Sequence, residues 1–134
     1  MSDDPAFGAV DIFTVDANVV VRPGDRAILA VDGSAAANGG VTVDYDCPGA
    51  GVNLNNGADD LYLGIAAGRG YTTLDGVAYD EKRGWPIAKG VSIELNDGRI
   101  SPSENDAASA WCLSTSAAGS TTDRGSPGPV SSGW

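Results

Sequence analysis

The chain has 134 residues, including 19 glycines and seven prolines, which is the length of one domain and favours turns over long helices. Eighteen acidic residues against eight basic ones give a net charge of −10. This charge argues against a nucleic-acid partner, because the phosphate backbone selects a basic surface. The absence of histidine removes the commonest general base and the Ser-His triad, so we expect the protein not to be an enzyme.

The N-terminal part of the chain contains short apolar runs that are separated by turn signals. An acidic start favours a flexible segment over residues 1–9. The turn at Pro23-Gly24-Asp25 separates two of the runs, because proline followed by glycine is typical of a β-turn. The runs that we predict as short strands are residues 10–15, 19–21 and 26–31.

The middle of the chain shows the clearest strand patterns. Residues 41–45, 61–65 and 91–95 alternate apolar and polar side chains with a period of two, which is typical of a half-buried strand. We expect the apolar members, such as Val43, Leu63 and Ile93, to face a core. Residues 72–79 predict a further strand, with a bulge or bend at Asp75-Gly76.

The C-terminal part predicts little regular structure. Residues 107–111 could form one helical turn, and residues 114–134 are rich in Ser, Thr, Gly and Pro. We expect this tail to be extended or partly disordered. The domain would therefore cover residues 10–113, and about seven short strands separated by turns favour an all-β, antiparallel sandwich.

The two cysteines, Cys47 and Cys112, are too few for a Cys₄ zinc site. We predict a disulfide between them, because a chain rich in Gly, Ser and Asp and poor in Lys suits an exported domain. Such a bridge could stabilise the fold by roughly 4 kcal/mol. The alternative is two unrelated thiols in a cytosolic protein. We expect an extracellular or cell-surface location.

Clustered carboxylates raise the question of a calcium site. The weak candidates are Asp44, Asp46, Asp59, Asp60 and Asp97, which lie among Asn and Gly residues. None fits the EF-hand spacing, and the same residue types form turns for conformational reasons, so we favour turn chemistry and expect no required cofactor. Hydrolysis by paired carboxylates is a further alternative, although no long loops are available to build a cleft.

Two tryptophans have two interpretations each. Trp85 precedes Pro86, which holds it in an extended conformation, and Trp111 precedes Cys112. Either ring could be an exposed platform for a ligand. We favour a structural role, with Trp85 as an apolar lid on one end of a sandwich and Trp111 packed near a buried bridge.

Four groups of segments, in this order, resemble the lamin tail domain family. The most specific is the third, which follows the family pattern D-x-V-x-Y, then G-W-P, then G-x-S-x-E-L. The segments are residues 21–30; residues 54–63; residues 74–80, 84–86 and 90–95; and residues 111–114 with 123–128.

The resemblance implies an immunoglobulin-like β-sandwich that works as a non-catalytic structural or protein-interaction module of an exported or surface protein. Nothing before Val10 supplies the family's opening strands. An open sheet edge would then accept a strand from a protein partner or from a second copy of the chain, unless residues 10–21 cover it. Calcium-dependent binding of a surface or carbohydrate is the alternative function. No apolar run approaches the length of about 18 residues needed for membrane insertion.

Overall fold

The structure, a computed structural model, describes residues 14–15, 18–47, 53–117 and 122–127. It is an all-β fold in which the described strands form three two-stranded sheets. The strands are β1 (Leu29–Ala30), β2 (Tyr45–Asp46), β3 (Ala58–Ala67), β4 (Gly70–Asp80), β5 (Ile93–Leu95) and β6 (Trp111–Leu113).

The longest sheet is the antiparallel hairpin of β3 and β4, which confirms the strands predicted at residues 61–65 and 72–79. Gly68 adopts a φ of 62° in the turn between them, a left-handed conformation that glycine takes without strain. Leu63 pairs with Asp75 but Gly64 pairs with Thr73. Leu74 is therefore not paired with any residue of β3, and the predicted irregularity lies one position before Asp75.

A single 3₁₀ turn, Glu81–Arg83, follows β4 and redirects the chain. The carboxylate of Asp80 accepts a hydrogen bond of 2.9 Å from the backbone N–H of Lys82, which caps the turn. Gly84 ends it with a φ of 85°. The turn thereby places Trp85 back over the base of the hairpin.

The second antiparallel sheet pairs β5 with β6, in the registers Ile93 with Leu113 and Leu95 with Trp111. A 3₁₀ turn, Ala108–Ala110, precedes β6, as predicted for residues 107–111. Part of the C-terminal tail extends this sheet. The backbone of Arg124 donates to Gly90 O at 2.8 Å and accepts from the N–H of Ser92 at 2.9 Å.

The N-terminal strands are shorter than predicted, and their direction corrects one expectation. Within residues 26–31 and 41–45, regular pairing is confined to β1 and β2, and residues 19–21 form no strand. β1 and β2 run parallel rather than antiparallel, because residues 31–44 form a long connection that returns the chain to the same end. Most of the predicted strand at residues 10–15, and residues 1–9, lie outside the described residues.

The buried core is small, and Trp85 lies at one end of the hairpin, beside Tyr79. Among the described residues, the fully buried apolar side chains are Cys47, Trp85 and Ala110. Val43 and Ile93 are half-buried, but Leu63 is 49% exposed, which corrects the expectation that it faces a core. In the part of the chain that the structure describes, no helix is long and apolar enough to cross a membrane.

Candidate binding surface

An aromatic cluster holds the base of the hairpin. Trp85 is only 7% exposed, and its ring centroid lies 5.7 Å from that of Trp111 and 6.4 Å from that of Tyr79. The planes are tilted by 43° and 59°, in the range that aromatic pairs favour. The structure therefore packs both predicted tryptophans together, with Trp85 buried rather than presented as a platform.

A buried asparagine connects this cluster to the hairpin. Asn105 is 6% exposed, and its Nδ2 donates to Asp75 Oδ2 at 2.8 Å. The indole Nε1 of Trp111 donates to the backbone oxygen of Asn105 at 2.7 Å. The backbone N–H of Gly76 donates to Asp75 Oδ1 at 2.9 Å. Both oxygens of the Asp75 carboxylate are thus held in place.

Sequence reasoning missed Asn105 and the role of Asp75. Asn105 lies in a polar stretch, Ser103-Glu104-Asn105-Asp106, whose composition is that of any surface loop. Its burial comes from a contact with β4 across 30 positions of sequence. No local pattern encodes such a contact.

Tyr79 joins the aromatic cluster to the polar segment before β3. Its hydroxyl donates to the backbone oxygen of Asn55 at 2.5 Å. Burial raises the pKa of this phenol above its ordinary value near 10, and the carboxylates of Asp59 and Asp60 raise that pKa further. The hydroxyl is therefore a stable hydrogen-bond donor at neutral pH.

The far end of the same hairpin is different, because its apolar side chains are exposed. We call residues 63–74 the outer hairpin. Leu63, Ile65 and Leu74 are 49%, 53% and 51% exposed. Arg69 is the one charged residue of this segment, although the chain as a whole has a net charge of −10.

An open hollow of about 650 Å³ lies beside the outer hairpin. Leu63 and Ile65 line one side of it, and Val21, Ala27 and Leu29 line the other. Val21 is itself exposed. The outer hairpin and its hollow therefore present several apolar side chains that the described residues leave open to solvent, and this surface is the candidate binding site.

The carboxylates considered for calcium do not converge. The described residues contain no group of three or more Asp, Glu, Cys or His side chains placed to hold a metal ion. Asp44 Oδ2 accepts from the N–H of Ile28 at 2.8 Å, and Asp97 Oδ1 makes an ion pair of 2.5 Å with Arg26.

The other calcium candidates also serve local structure. Asp59 Oδ2 accepts from the backbone N–H and the side-chain amide of Asn55, at 2.7 and 2.9 Å. Asp60 Oδ2 accepts from the hydroxyl of Tyr62 at 3.2 Å. The carboxyl group of Asp46 lies against Gly33. The contact of Asp59 organises the segment before β3, that of Asp60 lies within β3, and that of Asp46 joins β2 to the loop at Gly33.

Both cysteines are free thiols in the structure, so the predicted bridge is absent from it. Cys47 lies beside the β1–β2 sheet and Cys112 lies in the β5–β6 sheet. Cys47 follows β2 and its sulfur donates to Ala30 O at 2.9 Å, whereas Cys112 lies in β6 opposite Glu94. Burial raises the pKa of the Cys112 thiol above its usual range, and Glu94 adds to this effect, so the unreactive thiol form is favoured.

Comparison with known proteins adds no relative to this description. No family model, curated protein or solved structure matches the chain. The resemblance to the lamin tail domain family therefore rests on the sequence segments alone, and the functional argument rests on the surface just described.

Proposed function

We propose that the protein is a non-catalytic interaction module, built as an immunoglobulin-like sandwich of the lamin tail type, that binds a second copy of itself through the outer hairpin. The observation that carries the proposal is the exposure of Leu63, Ile65 and Leu74 within one segment. Clustered apolar exposure on this scale is typical of an interaction site, whereas single exposed apolar residues are ordinary.

The two antiparallel sheets face each other across a cavity, which supports a sandwich fold. Leu61 and Val77 form a cross-strand pair on the hairpin, and they line the same cavity as Ile93 and Trp111 of the β5–β6 sheet. Two apolar sheet faces that meet across a shared cavity are the basic unit of a sandwich. In this arrangement Leu61 and Val77 face a partner layer, whereas Ile65 does not line the shared cavity.

The distribution of charge supports a second copy as the occupant. Arg69 is the one charged residue between positions 63 and 74, so two molecules can meet there while their acidic regions stay apart. Among the described strands, β3 and β4 pair only with each other. Contact between hairpins of two copies would therefore bury apolar side chains and could add strand pairing at the sheet edge.

The module would act at a cell surface or outside the cell, where an acidic net charge keeps the separate molecules soluble. The contacts of the described carboxylates support a non-catalytic role, since these groups cap turns and fix side chains. The proposal assigns the binding energy to apolar burial along the outer hairpin, as in other protein interfaces with apolar centres.

The test is the molar mass in solution, measured by light scattering over a range of protein concentrations. We expect the wild-type mass to rise towards that of a dimer as the concentration increases. Ile65→Lys should abolish this rise, because it would place a charge in the apolar contact. Ile100→Lys is the matched control, since Ile100 is 73% exposed but lies outside the outer hairpin.

A monomeric mass for the wild-type chain at every concentration would overturn self-association. An equal loss of association in Ile65→Lys and Ile100→Lys would overturn the assignment to the outer hairpin. Circular dichroism of each variant separates loss of contact from loss of fold.

A further inference from the structure

A second cavity lies between the two antiparallel sheets, and Leu63 lines both this cavity and the hollow beside the outer hairpin. It has a volume of about 270 Å³. Leu61 and Val77 form its hairpin side, and Ile93 and Trp111 form the opposite side. The exposed side chain of Leu54 stands at its edge. An apolar cavity of roughly 150 Å³ is enough to hold benzene, so this one has room for an aromatic ring with a short substituent.

The charged group of this cavity is the carboxylate of Asp75. It lines the wall directly opposite Leu63 in the hairpin register. Its Oδ2 accepts from Asn105 and its Oδ1 accepts from the N–H of Gly76. Because an ionised carboxylate offers about four acceptor positions, two remain for a further donor. The hydrogen bonds from Asn105 and Gly76 hold the carboxylate in one orientation.

Gly76 also lines the cavity, and the packing on the other face of the sheet requires a glycine there. A Cβ at position 76 would overlap the ring of Tyr62, which lies across it on the neighbouring strand. Position 76 therefore contributes backbone atoms to the cavity wall beside Asp75.

From this geometry we infer that the cavity binds a small organic cation with an apolar body, such as an arylalkyl ammonium ion. The ring occupies the space between Val77 and Trp111, and the ammonium group donates to Asp75. Charge-assisted hydrogen bonds in an apolar site are stronger than neutral ones, so the cation is preferred over a neutral ligand of the same shape. The net charge of −10 also favours a positively charged ligand.

The experiment is an NMR titration of the full chain with three matched compounds: phenethylammonium, 2-phenylethanol and 3-phenylpropionate. The indole Nε1–H of Trp111 reports on the cavity, since Trp111 lines it. We expect saturable binding of the cation with a dissociation constant of roughly millimolar order, which is reasonable for so small a ligand. The alcohol should bind roughly tenfold to a hundredfold more weakly, and the carboxylate should not bind.

Asp75→Asn keeps the shape of the side chain and removes its charge, so it should weaken cation binding about tenfold or more and leave the alcohol unchanged. Asp106→Asn is the control, because Asp106 is exposed and lies outside the cavity. Val77→Phe should block all three compounds by filling the space.

Two results would overturn the inference. One is the absence of a saturable shift with phenethylammonium in the wild-type chain. The other is equal binding of the cation, the alcohol and the carboxylate, which would remove the role of Asp75. Both are measured on the wild-type chain, so neither depends on whether a variant folds.

Discussion

The two ends of the β3–β4 hairpin have similar sequence patterns and opposite environments. At the base, Tyr79 contacts Trp85, and Trp85 contacts Trp111, within a buried cluster. At the outer end, Leu63 and Ile65 continue the same alternation but are about half exposed. The difference shows that alternation identifies the apolar face of a strand, whereas burial depends on whether another layer lies across that face.

The largest effect should come from removing the centre of the buried cluster. Trp85→Ala should lower the free energy of unfolding by about 3–5 kcal/mol, because it leaves a cavity between Tyr79 and Trp111. Leu74→Ala, in the outer hairpin, should cost about 1 kcal/mol or less, since the side chain is half exposed. Urea denaturation of both variants measures the contrast. Equal losses would mean that the two ends of the hairpin are packed alike.

An intermediate effect should come from adding one methyl group on the hairpin. Gly76→Ala should destabilise by about 1–3 kcal/mol, because the new Cβ would meet the ring of Tyr62 and force a shift. Gly57→Ala is the matched control, because a Cβ there has open space around it. Thermal unfolding compares the two. If Gly76→Ala were as stable as Gly57→Ala, the close packing of Tyr62 over position 76 would be wrong.

The smallest effect should come from one hydroxyl. Tyr79→Phe removes the hydrogen bond to Asn55 O and should cost about 0.5–1.5 kcal/mol at neutral pH. The pKa of Tyr79 is raised in the folded state, so the protonated phenol is the form that the fold favours. Its contribution is complete below pH 10 and is lost as the pH rises through the raised value.

The free energy of unfolding, measured between pH 8 and about pH 11, isolates the contribution of the Tyr79 hydroxyl. The wild-type chain should lose more stability over that range than Tyr79→Phe does. Parallel curves for the two proteins would show that Tyr79 does not contribute to the alkaline transition.

The sequence predicts the strands of the long hairpin well, but an alternation of the same length at residues 41–45 yields only Tyr45 as strand. Residues 61–65 and 72–79 lie within β3 and β4, and the irregularity expected near Asp75 falls at Leu74. The short apolar runs before residue 47 are less informative. A run of three to six apolar residues does not specify a partner strand, and there regular pairing is limited to two residues in each of β1 and β2.

The site was harder to predict than the strands, for a physical reason. Trp85 and Trp111 are visible in the sequence as large rings, but their contact depends on the turn at residues 81–84 and on β6. Asn105 meets Asp75 only after both sheets are in place. The exposure of Ile65 depends on where the second sheet ends, which no residue of the hairpin encodes.

The most direct test of the account is hydrogen exchange at the backbone amides of residues 63–74, measured at low and high protein concentration. If a second copy covers the outer hairpin, exchange there should slow as the concentration rises, and Ile65→Lys should remove this change. Amides near Trp85 should exchange slowly at both concentrations. Exchange in residues 63–74 that is independent of concentration in the wild-type chain would contradict the central claim.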